Sequence, residues 1–132
     1  MKRILLGLAA AVVMAGAALA AEPAMYSDSS LGKVLTDSKG MTLYSFDKDA
    51  KGAAMSACTD KCIAAWPPFV APDGAMAEGD WTIVDVKDKD GKAEKMWAYD
   101  GWPLYYFVKD KAAGDVTGDG VVGVWHVVKQ GM

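Results

Sequence analysis

Leu35-Thr-Asp-Ser-Lys-Gly-Met-Thr-Leu-Tyr-Ser-Phe-Asp-Lys-Asp49 and Met96-Trp-Ala-Tyr-Asp-Gly-Trp-Pro-Leu-Tyr-Tyr-Phe-Val-Lys-Asp110 are two versions of one segment. An offset of 61 positions pairs Gly40 with Gly101, Leu43 with Leu104, Tyr44 with Tyr105 and Phe46 with Phe107, and then Lys48 with Lys109 and Asp49 with Asp110. Six identities in a ten-residue frame exceed coincidence, and a Trp follows each copy, at Trp66 and Trp125. The chain is therefore a duplication, with repeat 1 at about 33–70 and repeat 2 at about 94–130.

Each copy reads as a β-hairpin. Ser38-Lys39-Gly40 and Tyr99-Asp100-Gly101 carry turn chemistry, with Gly supplying the positive φ that tight turns need. The flanks are aromatic and β-branched, as strands prefer. In the strand after the turn, Tyr44 and Phe46 share one face and Leu43 and Ser45 the other; Tyr105 and Phe107 likewise oppose Leu104 and Tyr106. Both faces of the second strand are apolar or aromatic, which predicts a more central place in the sheet. Further strands are predicted at 81–86 and 121–128, with a turn at Asp88-Lys89-Asp90-Gly91. A helix is predicted over 57–65, capped by Ser56 and stopped by Trp66-Pro67-Pro68. The segment 72–80 reads as a loop between the halves. The expected fold is mostly β: two related hairpin-containing halves forming one small sheet domain, with one short helix.

The ends of the chain bound its compartment. Lys2 and Arg3 precede an uncharged apolar run from Ile4 to Leu19, and Ala18-Leu19-Ala20 is a small-x-small cleavage signature. This is a secretory signal peptide, residues 1–20, and the run is too short for the roughly 20 residues that a membrane span requires. The expected mature chain, 21–132, is one domain with no membrane span, located in the periplasm or secreted. It keeps twelve Lys and Arg against 17 Asp and Glu, a net charge of −5 with the two signs interspersed. No basic patch invites nucleic acid.

Tyr44-x-Phe46-x-x-Asp49 and Tyr105-x-Phe107-x-x-Asp110 resemble the family of bacterial secreted repeats and predicted lipoproteins with a Tyr-x-aromatic-x-x-Asp motif. Gly52, Cys58, Cys62 and Trp66-Pro67-Pro68 resemble the stretch after its first copy. Tyr99-Asp100-Gly101, Gly114-Asp115, Gly118-Asp119-Gly120 and Trp125 resemble its second. The resemblance implies export and a repeated fold, and it carries no established activity. Many members have a lipid-bearing Cys after the signal, and here that position is Ala21.

Cys58 and Cys62 have two readings. Outside the cytoplasm, two cysteines in a small domain pair as a structural disulfide. The other reading is a redox or copper-handling pair that uses His126, since thiolates with an imidazole favour copper. The parallel βαβ pattern of thioredoxin-like copper chaperones is missing. His126, the single His, follows Trp125 on the opposite face of its strand and has no nucleophile to serve. Asp115, Thr117, Asp119 and Gly120 mimic the start of a calcium loop, but position 12 would be His126 where a bidentate Glu is needed. A Gly/Asp loop is the expectation, and no cofactor is predicted, with copper and calcium as alternatives. The aromatics Trp97, Tyr99, Trp102, Tyr105, Tyr106 and Phe107 suit a sugar, a quinone or a flat cofactor, and suit a sheet core better. The motif residues Tyr44, Phe46, Asp49, Tyr105, Phe107 and Asp110 are expected to be structural. No catalytic set is present, so the expected function is non-enzymatic: binding of an envelope protein or a small ligand.

Overall fold

A computed structural model describes residues 22–130; the predicted signal peptide, residues 1–20, lies outside them. Among the described residues seven strands form in order: β1 (Met25–Ser29), β2 (Gly32–Thr36), β3 (Tyr44–Phe46), β4 (Trp81–Lys87), β5 (Ala93–Tyr99), β6 (Trp102–Pro103) and β7 (Trp125–Val127). One short helix, α1 (Lys61–Ala65), lies between β3 and β4. The fold is mostly β with two related halves, as the duplication implies. Its strands are shared among three small antiparallel sheets, β1-β2, β3-β7 and β4-β5-β6, rather than one.

The predicted turns form where their residues permit. Asp100 and Gly101 hold φ values of 51° and 85° between β5 and β6, the two positive values that a tight hairpin turn needs. The matching turn at 37–41 closes with Gly40 at φ 86° and with the Asp37 carboxylate accepting the Lys39 and Met41 amides. The Asp88 carboxylate does the same for Asp90 and Lys92 between β4 and β5.

Two predicted elements are shorter than expected. The helix starts at Lys61, not at residue 57. Asp60 sits at φ 53°, and the Ser56 hydroxyl bonds the Tyr105 hydroxyl instead of capping a helix. The last strand starts at Trp125, not at residue 121. Gly120 and Gly123 hold positive φ, and Val121–Gly123 coils into a 3-10 turn that an extended chain cannot pass through.

The halves are joined at their equivalent residues. Tyr44 and Tyr105 exchange both backbone hydrogen bonds, at 2.8 and 3.0 Å. On its other side Tyr44 pairs with Val127, and Tyr105 pairs with Pro68. The first copy is thus as central as the second. Each half also lends its last segment to the other: Leu35 donates to Val128 and Trp97 to Phe69. Alternation along the central strands makes two cores. Tyr44, Phe46 and Tyr105 enter one, together with Trp66 and Trp125. Leu43 and Leu104 enter the other, with Leu35, Phe69, Trp81 and Trp97.

Candidate functional site

The repeated motif closes across the halves. The Tyr44 hydroxyl donates to Asp110 at 2.6 Å, and the Tyr105 hydroxyl donates to Asp49 at 2.8 Å. Each Asp thus serves the Tyr of the other copy. Asp49 also accepts the Ala57 amide at 2.7 Å, and Asp110 accepts the amide and the hydroxyl of Thr117. Both carboxylates are buried, and so are both tyrosines. Burial pushes both phenols far above their usual value and raises the Asp49 carboxyl.

The aromatic residues repeat the same symmetry. Phe46, Trp125, Trp66 and Phe107 form one stack, with centroid spacings of 4.1, 3.8 and 4.0 Å. Tyr44 meets Trp66 edge-on at 5.4 Å, and Tyr105 meets Trp125 edge-on at 5.3 Å. The copies alternate along the stack, so neither half assembles it alone. Tyr44, Phe46, Asp49, Tyr105, Phe107 and Asp110 are thus engaged with one another, with Trp66 and Trp125, and with nearby amides and hydroxyls.

The raised Asp49 value gives a signed prediction. A carboxyl whose folded pKa exceeds its unfolded one contributes stability that is full below about 3.8 and is lost as pH rises through the folded value. Asp49→Asn removes that dependence. Urea melts from pH 3 to 7 should therefore show the variant gaining on the parent as pH rises. A gap between the two that stays constant across this range refutes the assignment.

The remaining candidates also have partners. Cys58 and Cys62 form a disulfide, with Cα atoms 5.3 Å apart and Cys58 wholly buried. His126 is half-buried and meets Asp47 through Nε2 at 2.8 Å. In the Gly/Asp loop, the Asp115 carboxylate accepts the Lys111 and Ala112 amides, and Asp119 accepts the Val127 amide. Among the described residues, no three His, Cys, Asp or Glu side chains are grouped to hold a metal ion. No helix among them is long and apolar enough to cross a membrane.

The aromatics weighed as one binding cluster separate in space. Tyr105 and Trp97 are buried, and the half-buried Tyr106 donates to Asp37 at 2.8 Å. Tyr99 and Trp102 instead line open cavities. One cavity, of about 320 Å³, lies between β3, β7 and the β5-β6 hairpin and is lined by Tyr26, Ser45, Asp47, Tyr99, Trp102 and His126, among others. Two more, of about 500 and 690 Å³, continue from Tyr99 past Trp81 and Glu22. Tyr26 sits against Tyr99, and burial together with that neighbour pushes its phenol up to about 12.

The first cavity breaks the two-fold pattern. Ser45 is the counterpart of Tyr106 at the 61-residue offset. The Tyr106 ring packs edge-on against Phe69 at 5.8 Å, and its hydroxyl holds Asp37. Ser45 has no ring to put in the matching place. Sequence reasoning missed Ser45, Asp47 and Tyr26, although the Ser45/Tyr106 mismatch within the matched frame was a usable signal.

A family model described as a secreted repeat of unknown function matches residues 26–70 and 84–129. The two matches span the two halves whose motifs close on each other. No curated protein and no solved structure matches the chain.

Proposed function

From the premise that this chain belongs to that family of secreted repeats, we propose that it is a non-enzymatic domain of the periplasm or cell envelope that binds a small ligand in the groove around Tyr99. The divergence of Ser45 from Tyr106 carries this reading. Where the copies agree, the residues hold the fold together. Where they differ, one half has an opening that the other half fills with a ring. The groove offers half-buried aromatic faces at Tyr26, Tyr99 and Trp102 beside a polar edge of Ser45, Asp47 and His126. Apolar walls with a few convergent polar groups suit a small molecule.

Cys58 is wholly buried and Cys62 half-buried, and their bridge ties the chain just before α1, which supports a structural role for the pair. The amide partners of Asp115 and Asp119 favour a loop that needs no calcium.

Ser45→Tyr tests the reading, because it rebuilds the residue of the other half. Native mass spectrometry of gently purified exported protein should show a small-molecule adduct on the parent and none on Ser45→Tyr, with the melting temperature unchanged. An adduct retained by Ser45→Tyr, or none on the parent, refutes the groove.

A further inference from the structure

We propose that the groove takes an elongated aliphatic amine of the polyamine type. This rests on the groove being a ligand site, and it adds the chemistry of the ligand.

The three cavities meet at Tyr99. The first and second share Tyr26, and the second and third share Glu22 and Trp81. Together they make a trough rather than a single pit. The carboxylates along it are Glu22, Asp47, Glu78, Asp80 and Asp100, all on exposed residues. Among the described residues, which hold twelve of the chain's 14 Lys and Arg, none lines any of the three. Lys51 reaches Asp100 at 3.7 Å from outside, and His126 faces Asp47; Glu78 and Asp80 have no cationic partner among the described residues. Glu22 accepts the Trp81 indole at 3.2 Å, which leaves its second oxygen free to accept.

Aromatic faces line the same cavities as these carboxylates. Tyr26, Tyr99 and Trp102 are half-buried, so each shows part of its ring to the trough. An ammonium group is attracted both to a ring face and to a carboxylate, and a methylene chain packs on the rings between. A compact cation fills one cavity only, whereas a chain with several ammonium groups matches a trough with a carboxylate in each of its three cavities. A neutral sugar would use the rings and would gain nothing from the one-sided charge.

Spermidine is the probe, titrated calorimetrically into the full exported chain at low salt, with 1,8-octanediol as a neutral chain of similar length. Spermidine should bind one to one and the diol should not. Tyr99→Ala should weaken binding about tenfold, as should the pair Glu78→Gln with Asp80→Asn. Asp28→Asn with Asp90→Asn, on carboxylates outside the trough, should leave binding unchanged. The carboxylate variants alter exposed residues, so they report even if Tyr99→Ala fails to fold. Equal weakening by the two carboxylate pairs means diffuse attraction to an acidic protein and overturns the proposal, as does the absence of spermidine binding. A neutral adduct on the parent that Ser45→Tyr loses, with no spermidine binding, keeps the groove and overturns the amine. With neither adduct nor spermidine, both readings fall.

Discussion

Asp110→Ala should destabilise the protein by about 3 kcal/mol or more, and the loss should couple to Tyr44 rather than to any residue of its own repeat. The carboxylate accepts three hydrogen bonds, from the Tyr44 hydroxyl and from the amide and hydroxyl of Thr117. A hydrogen bond to a charged group contributes roughly 1.5–3 kcal/mol, and leaving a buried donor without a partner costs about as much. The Tyr44 hydroxyl is fully buried and holds a second bond, accepting the Gly118 amide at 3.1 Å, so water cannot readily replace Asp110. A double-mutant cycle of Tyr44→Phe with Asp110→Ala should give a coupling energy of about 1.5–3 kcal/mol. The cycle of Tyr44→Phe with Asp49→Ala, within one copy, should be additive to within about 0.5 kcal/mol, because the two side chains share no hydrogen-bond partner. Urea melts at neutral pH measure both cycles. If the within-copy cycle couples and the cross-copy cycle does not, the motif closes within each repeat and the interlocked arrangement is wrong.

Trp125→Ala should cost about 3–5 kcal/mol, the range for truncating a large buried aromatic. Trp125 is buried between Phe46 and Trp66, parallel to both within 11° and 3°, and it receives the Tyr105 ring edge-on. Its removal opens a cavity in the middle of the stack, which rigid neighbours on both sides prevent from closing. Phe107 is at the end of the stack and half-buried, so Phe107→Ala should cost less than Phe46→Ala, whose ring is 7% exposed. Small domains have about 5–15 kcal/mol in total, so Trp125→Ala should lower the denaturant midpoint by a large fraction. A midpoint within a tenth of the parent's would show that the stack is not what holds the halves together.

Both predictions depend on which copy of the motif meets which, and local sequence cannot supply that. In the chain, Tyr44 is five residues from Asp49 and 66 from Asp110, and the fold joins the distant pair. Spacing suggests that an Asp at the end of a strand serves its own turn. Asp49 does reach forward to the Ala57 amide, but its other oxygen goes to Tyr105. The pairing follows from antiparallel contact of equivalent strands. Setting Tyr44 against Tyr105 carries each motif's Asp to the far end of the other copy's strand.

The sequence by itself determined the duplication, the turns at Gly40 and Gly101, and the faces of the central strands. These are written in local chemistry: positive-φ residues at fixed offsets and a side-chain period of two. It also raised the expectation that the motif residues are structural, since a binding site has no need of the same three residues in two places. It misjudged the helix start and the last strand, because Ser56 was drawn to the Tyr105 hydroxyl and Gly120 and Gly123 turned the chain. Only the tertiary structure decided that the halves exchange their last segments and share one aromatic stack, since those contacts join residues dozens of positions apart. The groove is also a tertiary product. It depends on the absence of a ring at Ser45, and an absent side chain has consequences only once the fold shows what the matching Tyr106 fills.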